Sequence, residues 1–322
     1  MRRRELLLIA MLGAGYFPQV LRAQPAKGKI GYLHPVTASR NHITFSVLEA
    51  EWRRLGYVEG ETVLPLAANG ELQQLPALVR QLTGKGVGVI IAVGYEAVRA
   101  AASGAPNTAI VAIDLETDPL QTGLIRSVAR PGGNITGLFL DTPVLAAKWI
   151  QLMREMVPDL DRIVFAWQPS AGKSQLDVAL RVAQNLRVET TVVEFGVNDD
   201  FPMLLSALAG PKRTGIIQLG GPGITTVAEK FVAAAVQHNL PTLSFLGEAA
   251  RRGFLMSYGP NQKDYFPRAV QLADRILHGE KAAELPVERP SKFEFVVNLR
   301  TARALNLTVP PALLVRADEV IE

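Results

Sequence analysis

Short β-branched runs alternate along this chain with stretches whose apolar residues recur every three or four positions. Lys29–Leu33, Thr62–Leu66, Val87–Val93, Ala109–Ile113 and Ile135–Phe139 read as strands, with helices expected over 42–55, 72–82 and 95–103. In the first helix Phe45, Leu48, Trp52 and Leu55 share one face, and Gly56 supplies the residue just past its end. Val87–Val93 is apolar nearly throughout, the mark of a strand covered on both faces of a parallel sheet. The second half keeps the rhythm. Helices are expected over 143–156, 174–186, 201–208 and 225–238. Strands are expected at Arg162–Trp167, Thr190–Phe195, Gly215–Leu219, Thr242–Leu246 and Phe254–Ser257.

Such alternation predicts an α/β chain: two doubly wound parallel-sheet lobes with right-handed crossovers. The halves repeat an architecture and not a sequence, and no low-complexity linker separates them. In open parallel sheets a ligand sits outside the carboxyl ends of the strands. Two facing lobes make a cleft there, so the loops that follow each strand carry the functional expectation.

The first residues break the rhythm. Arg2, Arg3 and Arg4 precede an apolar run, Leu6–Phe17, and then Leu21-Arg22-Ala23. This is the layout of an export signal cut after Ala23, and the run is too short to span a membrane. Twin arginines leave Sec and Tat export both open. The remainder, 24–322, is expected to be soluble and outside the cytoplasm.

Composition then removes whole classes of function. The 322 residues are 48% hydrophobic and 20% charged, enough apolar material for two cores. With no cysteine there is no disulfide framework, thiolate metal site, thiol nucleophile or lipoprotein anchor. The formal charge is +4, but the leader holds four arginines and one glutamate; without them 30 basic residues face 29 acidic ones. No basic stripe is left for nucleic acid.

The search for catalytic motifs is mostly negative. His34, His42, His238 and His278 form no metal-binding pair. Ala171-Gly172-Lys173-Ser174 ends like a phosphate loop, but Trp167 stands where the opening glycine belongs. No serine-nucleophile elbow occurs. What remains is a set of polar and aromatic residues at strand ends. Thr37, Ser39 and Asn41 follow the first strand, Tyr95 and Glu96 the third, and Asp114, Glu116 and Asp118 the fourth. Trp167 and Gln168 end the first strand of the second half, Gly220, Gly221 and Pro222 follow a later one, and Tyr258 closes Phe254–Ser257. The ligand-binding candidates drawn from these are Thr37, Ser39, Tyr95, Glu96, Asp114, Asp118, Trp167, Gln168, Gly221 and Tyr258. Carboxylates there would hold an ammonium group, helix N-termini and hydroxyls a carboxylate, and the aromatic rings a flat body.

These residues carry a resemblance. Ile30-Gly31-Tyr32-Leu33, Gly56-Tyr57-Val58-Glu59-Gly60, Asp118-Pro119-Leu120 and Arg130-Pro131-Gly132-Gly133-Asn134-Ile135-Thr136-Gly137 are among its markers. So are Ser257-Tyr258-Gly259, Lys292-Phe293-Glu294-Phe295-Val296-Val297-Asn298, Leu307-Thr308-Val309-Pro310-Pro311 and Arg316-Ala317-Asp318-Glu319. The chain resembles the periplasmic substrate-binding proteins of ABC transporters of the TrpX type. The resemblance implies a type I binding-protein fold whose lobes join through three crossovers, near Phe139–Thr142, Phe254–Gly259 and Lys292–Val297. It implies a leader over 1–23, a first lobe of 28–140 plus 260–291 and a second of 141–259 plus 292–322, with the helix Asp264–Leu277 packed back on the first. The implied partners are a small-molecule ligand, an amino acid or other small planar metabolite, and an ABC permease in the inner membrane. No cofactor, metal, nucleic acid or catalysis is implied, and a periplasmic monomer is expected. The sequence departs from the family at three presumed cleft loops: Tyr95-Glu96-Ala97, Trp167-Gln168-Pro169-Ser170 and Gly220-Gly221-Pro222-Gly223. Bulk added at Tyr95 and Trp167 points to a small or flat ligand. Two alternatives stay open: a receptor docking on a signalling partner, and a secreted α/β enzyme that would pair His34 with Asp114 or Asp118.

Overall fold

The computed structural model describes residues 28–140, 142–171, 173–221 and 224–322. The expected leader and its cut lie outside the described residues, as do Gly172, Pro222 and Gly223.

The first half runs β1 (Ile30–His34), α1 (Ile43–Arg54), β2 (Val63–Ala67), α2 (Leu75–Gly84), β3 (Val89–Val93), α3 (Tyr95–Gly104), β4 (Ala109–Asp114) and β5 (Ile135–Phe139). Its five strands form one parallel sheet in the order β2-β1-β3-β4-β5. The second half continues with α4 (Thr142–Met156), β6 (Arg162–Trp167), α5 (Ser174–Asn185), β7 (Glu189–Glu194), α6 (Phe201–Ser206), β8 (Thr214–Gln218), α7 (Ile224–Gln237), β9 (Thr242–Ser244), α8 (Gly247–Arg251) and β10 (Met256–Pro260). Then come α9 (Gln262–Tyr265), α10 (Pro267–Leu277), β11 (Phe293–Asn298), α11 (Leu299–Ala304), α12 (Pro311–Arg316) and β12 (Glu319–Ile321). The second sheet has the order β12-β11-β10-β9-β8-β6-β7 and is parallel except where β10 meets β11. The fold is thus two α/β lobes of the type I binding-protein kind.

Side-chain parity builds each sheet's two covered faces. Along β4, Val111 and Ile113 enter one core while Ile110 and Ala112 enter another. The apolar stripe of α1 packs against β1, where Tyr32, Phe45 and Trp52 meet edge to face at 5.2–6.2 Å. Such aromatic contacts add to the burial of large apolar surfaces.

The chain passes between the sheets three times: between β5 and α4, between β10 and α9, and just before β11. The segments read from sequence as the second and third crossings are largely strand here, because β10 and β11 pair with each other from Met256–Val297 to Pro260–Phe293. Tyr258 accordingly sits inside β10 and not at a strand's end. The excursion between those strands carries α10 onto the first sheet, and the helix implied over 264–277 is broken at Phe266 into α9 and α10. Tyr57 donates to Asp274 at 2.7 Å and Gln271 to Glu51 at 2.7 Å, tying α10 to α1. On the way back the chain lies along β5, where Glu288 and Gly137 pair and the Tyr265 hydroxyl sits 2.7 Å from the Glu288 carbonyl and 3.0 Å from that of Phe139.

Candidate functional site: a cavity between the lobes

The carboxyl ends of β1, β3 and β4 face those of β8 and β9 across a small, partly open cavity of about 40 Å³. From the first sheet come His34, at the end of β1, and Gly94 and Glu116, just past β3 and β4, with His42, Ile43 and Thr44 at the head of α1. Gly221, Phe245 and Leu246 close it from the second sheet, and Gln262 and Phe266 from the excursion that follows β10. Most of the wall is apolar. Its polar groups are few and poorly matched, which in a buried site is expensive and hence informative.

Glu116 is 6% exposed, and its Oε2 has no hydrogen-bond partner. Burial, and then the charge of neighbouring Asp114, push its carboxyl well above the usual carboxylate range. Asp114 is the anchor of this loop. Its Oδ1 accepts the amides of Glu116 and Thr117 at 3.0 and 2.9 Å, and its Oδ2 accepts the Thr117 hydroxyl. Burial raises the Asp114 carboxyl as well, and those donors oppose the rise.

His34 is held neutral. The amides of Val36 and Thr37 both donate to its Nδ1 at 3.0 Å, so the ring hydrogen is on Nε2. Burial, then the nearby His42, keep its pKa well below the ordinary value. His42 meets His34 edge to face at 5.1 Å, and burial followed by the charge of Arg252 lowers it to about 4. With Nδ1 occupied by backbone donors and Asp114 occupied by its own loop, His34 and Asp114 do not form the hydrogen-bonded pair a hydrolase would need. Two helices also point at the cavity without side-chain caps: α1 begins at His42 and α3 at Gly94. Their first-turn amides present the positive ends of two helix dipoles.

One side chain fastens the lobes. Gln175, in the first turn of α5, donates from Nε2 to the Leu115 carbonyl at 3.3 Å and accepts from the Gly220 amide with Oε1. The glycines at 220 and 221 are there for close approach. A β-carbon on Gly220 would lie 2.7 Å from Glu116 Cγ, and one on Gly221 1.9 Å from Gln168 Oε1. Gln168 is 4% exposed and its Oε1 is also without a partner.

Residues 41–321 match the ABC transporter substrate binding protein family. The chain belongs to this family. A tyrosine-binding protein of Clostridioides difficile is 23% identical over 198 residues, an alignment spanning 59% of this chain and about half, 55%, of that protein. In overall fold the substrate-binding chain resembles a Streptococcus pneumoniae ABC domain in complex with L-Trp, at a TM-score of 0.81 and 21% identity, over 91% of this chain and all of that one. It also resembles the ligand-free, open structure of a C. difficile substrate binding protein with adhesive properties. There the TM-score is 0.63 and the identity 18%, over 91% of this chain and 99% of that one.

Within this substrate-binding fold the candidates read from sequence divide by place. Gly221 lines the cavity, Gln168 presses on Gly221, and Asp114 sits beneath Glu116. Thr37 and Ser39 line a more open cavity of about 320 Å³ next to it, which shares His42 and Ile43 and has Glu248 and Arg252 on its far side. Tyr95 accepts from Arg99 at 3.0 Å and lies under its guanidinium. Glu96 is half-buried on the same helix. Asp118 accepts the Leu120 amide at 2.8 Å and caps its own turn. Trp167 is packed in the core of the second lobe. Tyr258 stacks on Phe293, with Lys148 over its ring. The cavity's other polar residues, His34, Glu116, His42, Thr44 and Gln262, were not among those ten candidates. The last three stand at the start of a helix and not at the end of a strand. Among the described residues no cluster of histidines and carboxylates could hold a metal ion.

Proposed function

We propose that this protein is the extracytoplasmic receptor of an ABC importer, a monomer that closes its lobes on a small solute and presents the closed form to a membrane permease. The observation that carries this reading is the cavity itself: set between the two lobes, which Gln175 fastens, and lined by Glu116, whose buried Oε2 has no hydrogen-bond partner. Binding sites of this kind are mostly apolar with a few convergent polar groups. Likeness in overall fold to an L-Trp complex, and in sequence to a protein named for tyrosine, makes amino acids the first ligand class to test. A volume of about 40 Å³ holds roughly three waters, so a small aliphatic body fits, whereas an aromatic ring requires Phe245, Leu246 or Phe266 to move. No helix among the described residues is long and apolar enough to cross a membrane, in keeping with a receptor that meets its permease from outside.

The test is a thermal-shift screen of residues 24–322 against amino acids, amines, organic acids and sugars, with small-angle scattering on each hit. A ligand at 100 times its Kd stabilises by about 2.7 kcal/mol. A receptor gives a hit that compacts the protein and is recovered chemically unchanged. Conversion of the bound solute into a product would place the chain among enzymes instead.

A further inference from the structure

We infer that Gln262 contacts the solute and selects for an uncharged polar group on it, a hydroxyl or a carboxamide. The inference rests on the receptor reading and names a feature of its ligand.

Gln262 opens α9, just past the second crossing. Asn261 caps that turn by accepting the amides of Lys263 and Asp264 at 3.0 and 3.2 Å. On the capped turn Gln262, Tyr265 and Phe266, at i, i+3 and i+4, are buried, whereas Lys263 and Asp264 are exposed. Gln262 thus takes a place on an inward face otherwise held by two aromatic rings. It is 3% exposed, and among the described residues its side-chain amide makes no hydrogen bond. A buried amide without a partner is costly, so its place in the wall points to a partner arriving from the cleft.

The amide stands between two spaces. It lines the small cavity between the lobes, and it lines a second cavity of about 600 Å³ beside β11 and β12; among the described residues Ile43 is the other one common to both. The carboxylates of the larger space are matched within the protein. Arg251 donates to Glu294 at 3.1 Å and to Glu319 at 2.7 Å, Lys292 to Asp264 at 3.4 Å, and the Phe295 amide to Asp318 at 2.8 Å. Gln262 is the buried polar side chain left over where the two spaces meet. Its carboxamide offers both donors and an acceptor. A hydroxyl or a second carboxamide answers both halves. A carboxylate only accepts and an ammonium only donates, so each leaves half of Gln262 unmatched, and a methyl group leaves all of it unmatched.

The experiment uses probes of matched shape: L-threonine against L-valine, and L-asparagine against L-leucine and L-aspartate. Calorimetry is run on the wild type and on Gln262→Met and Gln262→Leu, two apolar side chains of different shape. The wild type should prefer threonine to valine, and asparagine to both its counterparts, by about 10- to 100-fold, the cost of leaving a buried polar group unmatched. Both variants should bring each ratio to within threefold of one. A general weakening of the site lowers all five probes alike, so the ratios read the contact itself. At least one ligand-free variant should melt at or above the wild-type temperature, because an unmatched amide gives way to apolar atoms of similar shape. Ratios that survive in the variants, or a wild type that binds valine and leucine as tightly as threonine and asparagine, would overturn the inference and leave the receptor standing. So would both ligand-free variants melting well below wild type, since the amide would then be bonded within the protein, or a solute found on the purified protein that lacks both groups. A wild type that binds no probe and carries no solute by mass spectrometry would overturn both.

Discussion

Gln175→Ala removes the side chain that spans the cleft, and its effect can be worked from two bonds. The first, Nε2 to the Leu115 carbonyl, is long at 3.3 Å and joins the lobes. At the weak end of neutral hydrogen bonds it contributes about 0.5 kcal/mol. The second bond satisfies the Gly220 amide, which is buried when the lobes are closed. Losing its acceptor there costs about 1–3 kcal/mol, whereas in an open protein water replaces it. The closed state is therefore penalised by roughly 2 kcal/mol relative to the open one, a shift of about 30-fold in that equilibrium. If the ligand binds the closed form, its apparent Kd rises by about the same factor. Calorimetry reads the affinity, and small-angle scattering reads how much ligand is needed to compact the protein. The reasoning fails if affinity stays within threefold of wild type. It also fails if the ligand-free variant loses as much folding stability as it loses binding energy, because the bond would then hold the second lobe together and not the pair.

Other perturbations test the frame around the cavity. A β-carbon on Gly259 would lie 1.7 Å from the Phe245 carbonyl, a backbone atom that cannot swing aside, so Gly259→Ala should destabilise by about 3 kcal/mol or more in a urea titration. Tyr265→Phe strips the hydroxyl shared by the Phe139 and Glu288 carbonyls, and should cost about 1–2 kcal/mol by the same measurement while leaving ligand affinity near wild type. The two cleft histidines have folded pKa values below the unfolded one, so their contribution is complete above about pH 6.5 and is lost as pH falls towards the folded value. For His42, lowered to about 4, this is about 3 kcal/mol across that window, and His42→Asn should flatten the acid limb of the stability curve. Glu116 runs the other way: its raised pKa favours the folded state at low pH, and that advantage disappears as pH rises through the folded value.

The strand–helix rhythm was legible because local sequence sets it. A run such as Val89–Val93, buried along its whole length, has no alternative to a covered parallel strand. The crossings were less legible. Phe254–Gly259 looks like a hinge until the antiparallel pairing of Met256–Pro260 with Phe293–Val297 is known, and that pairing is a long-range fact. The site shows the same division. Strand ends marked the right loops, but not which side chain of each loop turns inward. Asp114 and Glu116 are two residues apart, and the turn formed by Asp114 with the amides ahead of it gives the cavity to Glu116. Tyr95 begins the right helix, yet its hydroxyl is engaged by Arg99 one turn on. Gln175 and Gln262 could not be placed from sequence, because Gln175 meets Leu115, and Gln262 reaches the cavity, only through the approach of one lobe to the other.

That approach explains why the cavity is built with unsatisfied groups at all. In the closed, empty protein Glu116 Oε2 and Gln168 Oε1 are buried without partners. Each costs about 1–3 kcal/mol relative to a water-exposed counterpart. Opening the lobes lets water reach Glu116 at the cavity wall, so its mismatch biases the empty protein towards the open form. A micromolar ligand supplies about 8 kcal/mol in total, enough to repay that preference and still bind. Had evolution replaced both groups with well-packed apolar residues, the empty lobes would close unaided and a permease could not tell a loaded receptor from an empty one. The mismatched acceptors thus tie closure to occupancy, because only a donor-bearing solute removes the reason to stay open.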